Sequence, residues 1–283
     1  MQTVNLARLT RRLALPVLLA LAGTACASDL GSPSRAIHPM DFIGQDFNLQ
    51  IEKTQGPAAS SYPNQGAIVR RMLAHGQWSS QGAGGPNHRE AAGTSQWRRS
   101  GTGEWVEIST ETSTIAPGGP ASSVLTYTFD GPSHGRWSWN INHGQALLSG
   151  SFTTAPSKPS AEQVLAPVTN AGLHVPLIIK SAVSTDLPAG SFPAAGLVLQ
   201  SYAADGTLSF QGFGPGTINS KGSYTYKRLS ANTAVEETLQ TSDFFTLPYT
   251  MVYTFKTANS GVWYQNFANG LIRFSGTFDT FAR

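Results

Sequence analysis

The chain has 283 residues, with 19 Lys+Arg against 16 Asp+Glu, and only 12% of it is charged. Arg8, Arg11 and Arg12 fall in the first 25 residues, where there is no acid, so the remainder is balanced at 16 against 16. Such a chain has no electrostatic footprint for nucleic acid, and its one cysteine, Cys26, allows no internal disulfide.

Residues 1–26 read as a secretory signal: a basic start, an apolar run from Leu13 to Ala22 and then small residues. Two cleavage sites are legible. Ala25-Cys26-Ala27 suits an ordinary signal peptidase cutting before Ser28. The stretch "GTAC", residues 23–26, resembles a bacterial lipobox, departing from it at Gly23; Cys26 would then be the lipidation site and a membrane the partner. Residues 27–41, polar and proline-bearing, form the expected tether.

The rest of the chain is written twice. "HGRWSWNINHGQALLSGSF" (His134 to Phe152) and "SGVWYQNFANGLIRFSGTF" (Ser260 to Phe278) match without a gap at seven positions. Upstream, "VLTYTF" faces "MVYTF", the aromatic-Pro pair of "SSYPNQG" faces that of "GSFPAAG", and "FNLQIEK" faces "VPLIIKS". The spacing predicts two homologous domains, residues 42–155 and 171–283, joined by a Pro-rich linker over 156–170.

Within each copy the apolar period is two. Leu125, Tyr127 and Phe129 share a face, as do Met251, Tyr253 and Phe255, with Thr and Ser between them; "NHG", "ADG" and "ANG" supply hairpin turns. The fold class is therefore all-β, as two tandem antiparallel domains. Mid-strand Gly150 and Gly276 predict bulges or tight bends and favour small calycin-like barrels, with two-sheet sandwiches as the alternative. Trp137, Trp263, Phe152 and Phe278 are the predicted core.

The pattern "KGSYTYKRLSANTAVEETL…YTMVYTF…SGVW…GTF" resembles a loose class of bacterial secreted and lipoprotein β-repeat domains, with G-x-Y-x-Y, N-x-A, S-G and a closing G-x-F. The triplets "GEW", "GRW" and "GVW" are similar to the lipocalin signature, an analogy that concerns barrel shape alone.

Catalytic motifs are absent: the chain has no G-x-S-x-G elbow, and its histidine spacings fit no metal site. No cofactor is implied. His75, His88, His134 and His143 read as solvent-facing turn residues, and Glu104, Glu107, Glu111, Glu236 and Glu237 as a solvated strand face. The candidate ligand contacts are positions where the copies differ: Trp97 against Tyr226, and Trp139 against Gln265. An inward glutamine costs about 1–3 kcal/mol unless hydrogen-bonded. A strand end emerging into solvent is thus the ordinary reading of Gln265, and a pocket lining the other. The sequence points to an exported, lipid-anchored, non-enzymatic binding module for a small molecule, glycan or envelope protein. A barrel holding a small apolar or sugar-like ligand, as carrier or isomerase-type enzyme, is the alternative.

Overall fold

The structure, a computed structural model, describes residues 39–112 and 121–282. The leader, Cys26 and most of the tether lie outside the described residues. Strands β1 (Gln45–Gln55), β2 (Ala67–Met72), β3 (Gln77–Ala83) and β4 (Ala91–Gly101) follow one another as antiparallel neighbours. They continue through β5 (Glu104–Glu111), β6 (Ser122–Gly131), β7 (His134–Ile141) and β8 (Ala146–Pro156), and β8 pairs back onto β1. The result is a closed eight-stranded barrel.

The second copy repeats this plan. Its strands are β9 (Leu173–Val183), β10 (Gly196–Tyr202), β11 (Thr207–Phe213), β12 (Ser220–Arg228), β13 (Thr233–Thr241), β14 (Thr246–Thr257), β15 (Ser260–Phe267) and β16 (Ile272–Asp279). Strand β9 pairs with both β10 and β16 and so closes the ring, while short β17 (Phe281–Ala282) extends the pairing along β9. The barrels expected from the sequence are present, and the sandwich alternative is set aside.

Closure explains the repeated residues. Ile51 lies opposite Gly150 and Ile179 opposite Gly276, and at both places the register slips by one residue in the facing strand. A Cβ on Gly150 would stand 1.9 Å from the Gln50 carbonyl oxygen, and one on Gly276 1.7 Å from that of Ile178. Only glycine lets the strands approach there. The neighbouring indoles seal the gap: Trp137 pairs with Gly150 and donates its Nε1–H to Ser151 O at 2.9 Å, and Trp263 pairs with Gly276 and donates to Thr277 O at 3.1 Å. A bent, bulged strand is how a small barrel turns its corner.

Each barrel is plugged at one end by the chain that enters it. Phe42, just before β1, packs on Phe47, Trp97, Trp105 and Phe129. Leu165 and Ala166, from the linker, pack into the second core, and both their backbone N–H groups donate to Ala231 O. The linker is thus partly core rather than a simple connector. Between the barrels, the outward faces of β2 and of β13–β14 meet in a small cluster of Ala67, Val69, Leu229, Val235 and Val252. Gln81 Nε2 donates to Leu229 O at 3.2 Å, and Gly85 N to Glu237 Oε1 at 2.7 Å.

Candidate functional site

The polar stripe on β5 and β13 points into the barrels rather than out. Glu107, Glu111 and Glu236 are buried, which corrects their reading as a solvated face; Glu237 alone of the β13 pair is exposed. The error came from equating polar with exposed, whereas partners on other strands satisfy these groups.

In the first barrel, Glu107 accepts from Arg70 Nε at 3.1 Å to each carboxylate oxygen, from Arg70 Nη2, and from Tyr127 Oη at 3.1 Å. Both members of the ion pair are fully buried. The guanidinium lies 3.6 Å from the Trp78 ring centroid and 5.6 Å from that of Trp139, so two indole faces take the place of water around the cation.

In the second barrel Glu236 stands where Glu107 does, paired across β12 with Tyr226 as Glu107 is with Trp97. Gln200 replaces Arg70 on the second strand, and no cation among the described residues is bonded to the acid. Hydroxyls do the work instead. Tyr249 donates to Glu236 Oε1 and Tyr202 to Oε2, both at 2.6 Å, and Thr238 reaches Oε1 at 2.9 Å. Burial pushes the Glu236 carboxyl above its usual range, and these hydroxyls, with that of Tyr253, pull it back. Burial and the adjacent acid hold Tyr202, Tyr249 and Tyr253 well above the ordinary tyrosine value, so all three stay protonated donors.

Beyond these clusters, at the end opposite the plug, each barrel has a cavity, and the two differ sharply. The first measures about 40 Å³, with Tyr62, Trp78, His88, Arg89, Glu111 and Trp139 among its walls. The second measures about 250 Å³ and lies within Ile179, Phe192, Phe210, Trp263, Phe267 and Phe274. Its polar lining includes the amides of Gln200, Gln240 and Gln265. The corresponding strand positions account for the room: Trp78 becomes Leu208, Trp139 becomes Gln265 and Arg70 becomes Gln200. The wall itself is not thinner, since Ser80, Ile141 and Leu148 become Phe210, Phe267 and Phe274. No Asp, Glu, His, Lys or Arg is among the described residues that line the second cavity.

Of the candidate contacts, Trp139 lines the first cavity and Gln265 the second. Neither emerges into solvent, so the ordinary reading of that strand end is corrected. The Gln265 amide makes no hydrogen bond to another described residue. Trp97 and Tyr226 line neither cavity: Trp97 stacks on Tyr127 at 5.4 Å and packs at a tilt on Phe42 at 4.8 Å, and Tyr226 packs in the second core with its buried hydroxyl unpartnered among the described residues. Gln200 and Glu236 were missed as site residues. A signal existed, since Glu107/Glu236 and Tyr127/Tyr253 recur in both copies. His75, His134 and His143 are exposed, as expected, although His134 is the first residue of β7 rather than part of the turn before it. His88 is half-buried, its Nε2 2.9 Å from Gln65 O, and burial lowers its pKa. No group of three or more His, Cys, Asp or Glu among the described residues is placed to hold a metal ion.

No family model matches the chain, and no curated protein matches it. Among solved structures, a protein of unknown function of the DUF3598 family from Nostoc punctiforme aligns over 85% of this chain and 96% of its own. The identity is 11% and the TM-score 0.28, a likeness that carries no functional argument.

Proposed function

We propose that this protein is a binding protein whose second barrel takes a small, mainly apolar molecule into its cavity, while the first barrel is a filled structural partner. The contrast between about 250 Å³ and about 40 Å³ in two copies of one fold carries this reading. An apolar cavity of about 150 Å³ already admits benzene, and ligand sites are concave, apolar and sparsely polar. The uncharged lining supports binding rather than acid–base catalysis.

The test restores the first barrel's indole. Naphthalene added to the full chain should raise its melting temperature, because a ligand that binds only the folded state stabilises it. In Gln265→Trp the cavity is filled, and the shift should fall at least roughly tenfold in ligand potency, or about 1.4 kcal/mol. An unchanged melt in the parent chain would remove the reading.

Export and lipid anchoring belong to the same proposal, supported by the leader and by "GTAC". A diacylated Cys26 would hold both barrels near an extracytoplasmic envelope membrane, since two acyl chains give stable attachment. Mass spectrometry of the mature N-terminus should find a modified Cys26. A peptide beginning at Ser28 would leave a soluble secreted protein.

A further inference from the structure

Three amides line the second cavity, and they are committed to different degrees. Gln200 is bonded at both ends within the tyrosine cluster, and Gln240 Nε2 bonds Ser220 Oγ at 2.7 Å. Gln265 bonds nothing among the described residues, although it is only 9% exposed. Its side chain points inward. Residues directly opposite in a sheet share a face, and its partners are Met251 and Phe274, both in the second core. Trp263 and Phe267, its neighbours on that face, line the same cavity. Neither amide atom of Gln265 is sealed within protein, so both open onto the cavity as an N–H and a C=O side by side. Turning the amide over exchanges the two and leaves the pair in place. Inside a barrel wall such a pair gains by meeting a partner at each end.

The walls narrow what that partner is. No Asp, Glu, His, Lys or Arg is among the described lining residues, so an ion would shed its water without gaining a counter-charge. A ketone or ether oxygen would satisfy the N–H and set its lone pairs against the C=O. A single hydroxyl oxygen cannot lie on both axes, because the two groups of an amide run nearly parallel. A carboxylic acid has the right shape but is ionised at neutral pH. A planar cis amide meets both ends: its C=O accepts from the Gln265 N–H, and its N–H donates to the Gln265 C=O.

We infer that the ligand is a neutral cyclic amide, a lactam with an apolar ring, and that Gln265 selects it through this paired hydrogen bond. The inference rests on the reading of the second barrel as a ligand site. The ring holds the amide cis, whereas an open-chain secondary amide is trans. A primary amide would carry a further N–H into apolar surroundings. By proportion with benzene in about 150 Å³, a cavity of about 250 Å³ takes roughly ten non-hydrogen atoms.

Four probes with seven-membered rings test it: caprolactam, cycloheptanone, cycloheptanol and cycloheptane, titrated calorimetrically into the full chain at neutral pH. Their hydration differs, so each affinity is compared between the parent chain and Gln265→Leu, relative to cycloheptane. Caprolactam should lose roughly thirtyfold, the worth of two net hydrogen bonds. Cycloheptanone and cycloheptanol should lose roughly fivefold, the worth of one. Cycloheptane should bind both proteins. Should Gln265→Leu fail to fold, the side-chain amide protons of Gln265 in the parent chain decide, followed by nuclear magnetic resonance. Caprolactam should move them downfield relative to cycloheptane, and unmoved resonances overturn the inference. Equal losses for caprolactam and cycloheptanone, or no loss for either, overturn the lactam inference and leave the cavity reading standing. A larger loss for cycloheptanol than for caprolactam also overturns it. No binding by any of the four removes both.

Discussion

At the scale of single residues, two buried acids in equivalent positions are stabilised by different means, and they should respond differently to the same change. Glu107→Gln would strand the Arg70 charge in the first core, and breaking a buried pair from one side costs about 3–5 kcal/mol. Glu236→Gln strands no charge, because hydroxyl groups surround it, and lost charge-assisted hydrogen bonds should cost about 1–2 kcal/mol. The pH dependence differs as well. The folded pKa of Glu236 lies above its unfolded one, so it contributes stability below the unfolded value that is lost as pH rises through the folded value. Glu236→Gln should remove that decline. Urea unfolding across pH measures both effects, and an equal cost for the two variants would show that a cation holds Glu236. Neither acid was legible as buried, since a strand such as "EWVEISTE" presents the same alternation whichever face is inside. Register with the facing strands decides, and the sequence does not contain it in readable form.

At the scale of elements, the paired strands β7–β8 and β15–β16 are the part of the fold most legible in advance. Glycine and tryptophan recur there for one physical reason, a close approach covered by an indole, and that reason is local to two neighbouring strands and the one they close on. Gly276→Ala would drive a methyl into the Ile178 carbonyl, so β9 and β16 must separate or the bulge must migrate. Overpacking of this kind usually costs about 1–3 kcal/mol, and the loss should appear as a lower thermal midpoint. A midpoint unchanged in Gly276→Ala would mean that the bulge is free to slide. The cavity, by contrast, was half legible. Gln265 stood out as an inward amide, but the room around it arises jointly from Leu208, Gln200 and Gln265 on three strands, which only the closed barrel brings to one level.

At the scale of the molecule, the boundaries of the second barrel follow from what plugs it. The repeat suggests a start near residue 171, because the copies match from there. The structure places Leu165 and Ala166 inside the barrel end, with Ala166 1% exposed, Arg228 Nη1 donating to Ala166 O at 3.3 Å, and Asn170 Nδ2 3.4 Å from Glu236 Oε2. The first copy uses Phe42 in the same way, so each barrel borrows its plug from chain that does not pair in its sheet. The contact between barrels is small and made by outward faces, where "AIV" and "MVY" break strict alternation because both sides of those strands are covered. A closed barrel has no free edge to lose when its neighbour is removed. A fragment spanning 157–283 should therefore fold alone, with a cooperative melt and fixed near-ultraviolet aromatic circular dichroism. A fragment spanning 171–283 should be less stable by about 2–4 kcal/mol, the cost of opening a buried apolar site. Equal melts for the two fragments would show that the linker only rests against the barrel, and a non-cooperative melt for the longer one would show that the two barrels fold as one unit.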